Sequence, residues 1–339
     1  MQLFKSNNSS TDILKNSFKQ QIFKATPDSF NDLALDIFYY QAKNNPVYSK
    51  YLQLINIRPE TVLEISKIPY LPIEFFKNHV VSCSPVNDQT TIFTSSSTTG
   101  VGTSNHYVAD LNLYETSFIK GFEFHFGKIE DYTFRFLLPS YMERNGSSLV
   151  YMAEKLLKLS GKGGFYLNNF KQLSEDLLSD KENERKTILL GVSFALIDFA
   201  EAFKNDLSGL TVMETGGMKG RRKEITRPEL HNFLQQNLNV NQIASEYGMT
   251  ELLSQAYSLK DGIFNCPPWM KISIGQTTDP FGWEKPGKTG TLKIIDLANL
   301  DSCCFISTSD LGRLFDNGSF EVLGRFDSSD VRGCNLMAV

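Results

Sequence analysis

Residues 94–106 read TSSSTTGVGTSNH, and the interpretation of this stretch decides how the rest of the chain is read. Ten of its thirteen residues are Ser, Thr or Gly, directly after the apolar run TTIF. Backbone N–H groups and small hydroxyls approach an anion closely when no large side chain intervenes. A strand followed by such a loop is therefore one way to hold phosphate. The same composition also describes an ordinary surface loop. The Walker pattern GxxxxGK(S/T) is absent, so this is not a phosphate loop of that type.

Upstream, the first ninety residues read as mostly helical. In TPDSFNDLALDIFYYQAKNNP, Thr26 is placed as an N-cap and Pro27 as the first helical residue. Phe30, Leu33, Ala34, Ile37 and Phe38 recur at helical spacing, and Pro46 ends the helix. Downstream, the pattern alternates between strand and helix. YTFRFLLPS (132–140) reads as a buried strand closed by Pro139, and KTILLGVSFALIDFAEAF as a strand near Leu189 running into a helix. LTVMETGG (210–217) is a strand broken by two glycines. TRPELHNFLQQNL is a helix capped by Thr226 with Leu230, Phe233, Leu234 and Leu238 on one face, and VNQIASEYGMTE begins as another strand. Such alternation predicts an α/β fold with mostly parallel sheets flanked by helices. From residue 287 the reading changes to short antiparallel strands, GTLKIID, CCFIST, RLF and FEVLG, with Asp316-Asn317-Gly318 as a hairpin turn. The expected division is a helical region at 1–90, an α/β core at 91–286, a β subdomain at 287–326 and a short tail at 327–339.

Composition narrows the function classes. A chain of 339 residues, 41% hydrophobic and 21% charged, reads as globular. Net charge of −4 and a pI near 5.7 argue against nucleic acid as a partner. There is no run of about eighteen apolar residues for a membrane span, and the N-terminal stretch lacks the apolar region of a secretory leader. Five scattered cysteines without CxxC spacing fit free thiols in a reducing cytoplasm. The 26 Phe residues can line an apolar pocket or simply fill a core.

Three further stretches bear on chemistry. SEYGMTE places Tyr247, Gly248, Thr250 and Glu251 after a strand. STSDLGR places Asp310 after another, and GRFD places Arg325 and Asp327 beyond it. Each residue has a plain alternative: Tyr247 as a core aromatic, Glu251 as an exposed charge at a helix start, Asp310 as a turn cap, Arg325 with Asp327 as a surface ion pair. In combination and in this order, SSSTTG, YGMTE, SD and GRFD resemble the adenylate-forming superfamily of acyl- and aryl-CoA ligases, peptide-synthetase adenylation domains and luciferases. The motifs there are (S/T)SG(S/T)TG, YGxTE, TGD and GRxD. Within it, FKNHVV, ETGGMKGRRKEITRPEL, SEYGMTELLSQAYS and VRGCNL resemble the LuxE-type acyl-protein synthetases of bacterial fatty-acid reductase.

The resemblance implies the large N-terminal lobe of that superfamily, with ATP and Mg2+ as cofactors and a fatty or other carboxylic acid as substrate. It implies that Ser95, Ser96, Ser97, Thr98, Thr99 and Gly100 cradle phosphates and that Thr250 donates to the α-phosphate. Glu251 would hold Mg2+, Tyr247 would stack on adenine, and Gly216 and Gly217 would line the adenine or acyl group. Asp310 would bind the ribose hydroxyls, helped by Arg325. It further implies an acyl thioester on the chain's own Cys334, delivered to a reductase subunit or a carrier protein. Arg332 beside Gly333 favours a reactive thiolate there.

Departures from the pattern are visible too. Ser97 stands where the loop has glycine, and Thr103 near its usual lysine. His106, Lys219, Arg221 and Arg222 are candidates for supplying cationic or donor groups toward phosphate, against a structural histidine and a solvated basic run. Only twelve residues follow Asp327, so the superfamily's C-terminal lobe is expected to be missing. A shortened phenylacetate-type CoA ligase that uses a thiol in trans, or a non-catalytic nucleotide-binding subunit, are the alternatives.

Overall fold

A computed structural model describes residues 3–95, 102–138, 146–167, 169–216 and 225–326. Helices α1 (Leu3–Ile22), α2 (Pro27–Asn44) and α3 (Pro46–Leu54) lead into β1 (Leu71–Pro72), α4 (Phe75–Asn78), the hairpin β2 (Thr91–Thr94) and β3 (Asn105–Val108), and α5 (Leu111–Phe126). An alternating segment follows: β4 (Thr133–Leu137), α6 (Ser148–Ser160), β5 (Gly163–Phe165), α7 (Phe170–Glu182), β6 (Thr187–Val192), α8 (Ser193–Ala202), β7 (Thr211–Thr215), α9 (Arg227–Leu238), β8 (Ile243–Tyr247) and β9 (Ala256–Ser258). The last described strands are β10 (Ile263–Phe264), β11 (Met270–Gly275), β12 (Thr289–Asp296), β13 (Phe305–Leu314) and β14 (Phe320–Arg325).

The alternating segment forms one six-stranded sheet in the order β5-β4-β6-β7-β8-β9. Its first five strands are parallel and β9 is antiparallel. Every residue of β4, β6 and β8 is buried, so both faces of these strands are covered, Arg135 on β4 and Glu246 on β8 included. The second sheet, β10-β14-β13-β12-β11, is antiparallel, and β1 joins it through a parallel pairing of Leu71 with Ile306. The β subdomain thus draws a strand from the helical N-terminal region as well as β10 and β11.

Local chemistry explains the helix boundaries. Thr26 accepts a hydrogen bond from the Ser29 amide in a reciprocal capping box, with Pro27 at the first helical position. The five apolar residues expected on its inner face are all buried. Pro46 does more than end α2. Asn45 caps the next helix by accepting from the Val47 and Tyr48 amides, and Pro46 begins α3. Thr226 and Glu229 form a second capping box that starts α9.

The N-terminal helices dock on the antiparallel sheet through Phe305. Phe38 meets its ring edge-on at 6.0 Å and Tyr48 stacks at 6.3 Å. Burying such an aromatic side chain contributes about 1.5–3 kcal/mol, so this junction is a substantial part of the core. CCFIST and RLF are not two strands. Cys303 and Cys304 lie in the turn just before β13, and residues 305–314 form one strand with a register shift at Leu311/Gly312. The strand continues because it is central: it has β12 on one side and β14 on the other, which satisfies its backbone past Ser309 and Asp310. The hairpin turn is where expected, with Gly318 at φ 83° and its amide donating to the Phe315 carbonyl.

Candidate functional site

The parallel strands of the central sheet all end at the same edge, and in such sheets ligands bind beyond the carboxyl ends. β8 stops there at Tyr247. Gly248 follows; a Cβ at that position would sit 2.4 Å from a Glu246 carboxylate oxygen, so the Glu246 side chain would have to shift to admit one. The chain then turns through Met249, Thr250 and Glu251. Glu251 is buried, with 5% exposure, and no helix begins there, so it is not an exposed helix-start charge. Burial pushes its carboxyl up, and a hydrogen bond from the Ser104 hydroxyl counters part of that effect.

The backbone of this turn is held by side chains from far away in the chain. Asn299 donates to the Glu251 carbonyl at 2.7 Å and accepts from the Leu253 amide at 2.9 Å. Asp296 accepts from the Leu253 and Ser254 amides, the Ser254 hydroxyl and the Ala298 amide. Asp296 is fully buried and has no cation partner among the described residues, and burial pushes its carboxyl up to about 6.

The Ser/Thr/Gly loop meets the same turn. Its neck is closed where the Ser95 amide donates to the Ser104 carbonyl at 3.0 Å and the Ser104 amide donates to Ser95 Oγ at 2.9 Å. Ser96, Ser97, Thr98, Thr99 and Gly100 lie outside the described residues. His106, two residues past the neck, is a buried position of β3. It is 1% exposed, with Nδ1 2.8 Å from the Thr250 carbonyl and Nε2 2.8 Å from Ser302 Oγ. Burial lowers its pKa to about 4, against the opposing pull of the Thr250 carbonyl.

Tyr247, Asp310 and Arg325 come together. The Tyr247 hydroxyl donates to Asp310 Oδ2 at 2.9 Å, and Arg325 Nε donates to Oδ1 at 3.2 Å. Asp310 sits within β13 rather than after it, and β14 supplies Arg325 directly opposite. Arg325 therefore pairs with Asp310; Asp327 lies outside the described residues. The Tyr247 ring packs edge-on against Phe264 and Phe320, and burial plus the Asp310 charge push its phenol well up, so it remains a donor.

Just past β7, Gly216 adopts φ 70°, a left-handed conformation suited to glycine, and its carbonyl accepts from Ser193 Oγ at 2.6 Å. Beside it the buried Glu214 accepts from Arg227 Nε at 2.9 Å, while Arg227 also donates to the Val322 carbonyl at 2.6 Å. That pair ties the two sheets together next to the site. Gly217, Lys219, Arg221, Arg222 and Cys334 lie outside the described residues. Behind Tyr247, the Glu246 side chain accepts from Thr215 Oγ1 and borders a small apolar cavity lined by Phe122, Phe134, Met152, Leu190, Met213 and Tyr257. Burial pushes the Glu246 carboxyl up to about 7.

Solved structures with this architecture include 2-hydroxyisobutyryl-CoA ligase in an open conformation in complex with 2-HIB-AMP and CoA. The TM-score is 0.66 at 11% identity, over 91% of this chain and 78% of that one. The same ligase in the postadenylation state gives 0.64 at 12% identity, over 88% and 68%. ATP-bound MatB from Rhodopseudomonas palustris gives 0.53 at 12% identity, over 69% and 47%. The chain has the fold of these ligases. It spans about half the length of MatB. No protein-family model and no curated protein matches the sequence.

The arrangement fits a nucleotide and a divalent cation chemically. A carboxylate offers roughly four lone-pair positions, and Asp310 gives one to Tyr247 and one to Arg325, leaving acceptors for two ribose hydroxyls. Glu251 is a single carboxylate, and no cluster of three or more His, Cys, Asp or Glu exists among the described residues. Mg2+ suits such a donor set, since it is commonly held by one or two carboxylates together with substrate phosphates.

Proposed function

We propose that this chain activates a carboxylic acid with ATP, forming an acyl-adenylate and releasing pyrophosphate. The observation that carries this reading is the convergence of separate motifs: the β2–β3 hairpin meets the Thr250–Glu251 turn through His106 and the Thr250 carbonyl, while Tyr247, Asp310 and Arg325 join from three strands. The fold shared with ligases solved in complex with ATP or an acyl-AMP supports it.

In the proposed reaction a substrate carboxylate oxygen attacks the α-phosphorus, and the bond from that phosphorus to the β-bridging oxygen breaks. Ser95, with residues 96–100, binds the β- and γ-phosphates through backbone and hydroxyl donors. Thr250 donates to the α-phosphate. Tyr247 and Gly216 border the adenine, with Gly217, and Asp310 fixes the ribose with the help of Arg325. Glu251, together with the phosphates, would hold Mg2+, which when bound would supply charge neutralisation for the departing pyrophosphate.

For the second half-reaction we propose Cys334 as acceptor. Its thiolate sulfur attacks the acyl carbon and AMP leaves, giving an acyl-protein thioester for a reductase or carrier protein. The four described cysteines are poor rivals: burial holds all their thiols up, Cys303 at about 12. An apolar, fatty acid is the proposed substrate, on the resemblance to acyl-protein synthetases and the phenylalanine-rich composition.

Incubation with ATP, Mg2+ and labelled acid should leave hydroxylamine-sensitive label on the protein. Cys334→Ser should lose that label yet still release pyrophosphate. A second reading, transfer to CoA in trans, is favoured by the likeness to a ligase solved with CoA. Label that moves to CoA and never resides on protein would establish it.

A further inference from the structure

The role of His106 is not explained by phosphate binding, because both of its ring nitrogens are taken by Thr250 and Ser302. In β3, His106 and Val108 point inward while Asn105 and Tyr107 are only partly buried. A buried β position of this kind is ordinarily filled by an apolar side chain. His106 instead makes two hydrogen bonds of 2.8 Å and meets Phe76 edge-on at 5.5 Å. The Thr250 carbonyl can only accept, so Nδ1 carries the proton. In the neutral ring Nε2 then accepts from the Ser302 hydroxyl.

These partners form a frame around the 248–251 turn. Its two consecutive carbonyls, Thr250 and Glu251, are each held by a buried side chain, His106 and Asn299. Ser302 and Asn299 belong to one turn, linked by the Ser302 amide donating to the Asn299 carbonyl at 3.0 Å. Ser104, next to β3 on the same hairpin, closes the hairpin neck by donating its amide to Ser95 Oγ. The hairpin is therefore tied to the turn through His106, next to the carbonyl that Asn299 holds.

We infer that His106, as a neutral Nδ1–H ring, is a positioning residue that sets the neck of the β2–β3 hairpin, Ser95 and Ser104, in register with Thr250 and Glu251. This rests on the adenylation reading above. It makes the hairpin neck and the turn one unit: without the ring, Ser95 and the Glu251 turn lose their fixed spacing.

The test compares His106→Asn with His106→Gln in acid-dependent ATP–pyrophosphate exchange. An Asn amide sits near the Nδ1 position and can still donate to the Thr250 carbonyl. A Gln amide reaches toward the Nε2 position and keeps only Ser302. His106→Gln should lower kcat about tenfold with little change in KM for ATP, as expected for one lost buried hydrogen bond felt in the transition state. His106→Asn should recover most of that loss, at a similar Tm. A His106→Gln enzyme with wild-type kcat, or equal losses in both variants that follow Tm, overturns the inference. If the wild type itself shows no exchange with any acid, the adenylation reading fails, and selective amide NMR then decides for His106. The Glu251 and Ser104 amides should shift in His106→Gln and return in His106→Asn; unmoved resonances overturn it.

Discussion

Asp310 receives donors from both sheets: the Tyr247 hydroxyl from the central one and the Arg325 guanidinium from the antiparallel one. Its carboxylate is mostly buried while the Arg325 side chain is 75% exposed, so the ion pair itself contributes little to stability. Asp310→Asn keeps the volume and a group for Tyr247, but gives up the charge and one acceptor. We expect KM for ATP to rise about tenfold with a Tm close to wild type, read from exchange kinetics and calorimetry. Glu246 offers a second single-residue test. Its folded carboxyl keeps its proton up to about pH 7, whereas an ordinary glutamate releases it near 4.5. The folded state then binds more protons between those values, so stability falls as pH rises through that window, by about 1–3 kcal/mol. Glu246→Gln should remove this part of the slope, visible as a smaller shift of the urea midpoint between pH 5 and pH 8 than in the wild type.

At the scale of elements, the 248–254 segment has no regular secondary structure and is held by Asp296 and Asn299. Asp296→Ala would leave the Ser254 and Ala298 amides short of a buried partner, while the Leu253 amide keeps Asn299 Oδ1. The expected cost is about 3 kcal/mol or more, with loss of adenylation before loss of the fold, measured by denaturant unfolding alongside exchange activity. The sequence made α2 and α9 legible because caps, first-turn prolines and apolar spacing are local signals. Tyr247, Glu251, Asp310 and Arg325 were legible because each lies in a short motif. Asp296, Asn299, Ser302 and the inward turn of His106 were not. Their partners lie 42 to 196 residues away, and an isolated polar residue carries no periodicity that points to them. The division of β13 failed for a related reason: Ser307, Ser309 and Asp310 look like a break until the pairing of β12 and β14 and the bond from Tyr247 are in place.

Across the whole molecule, the site lies where the carboxyl edge of a parallel sheet meets an antiparallel sheet. The sheets are joined by Tyr247–Asp310 and by Arg227, which links Glu214 to the Val322 carbonyl. If the acyl group is apolar, each buried methylene adds about 0.8 kcal/mol, so kcat/KM should climb with chain length until the pocket ends. A flat response from short to long acids would contradict a fatty substrate and leave adenylation standing. The central claim is acyl-adenylate formation, and ATP–pyrophosphate exchange over a panel of carboxylic acids tests it most directly. The account predicts exchange that requires both an acid and Mg2+ and falls at least about a hundredfold in Glu251→Gln, as for loss of a metal-binding carboxylate that acts in the transition state. No exchange with any acid, in a wild-type protein that also fails to bind a non-hydrolysable acyl-adenylate analogue, would contradict it.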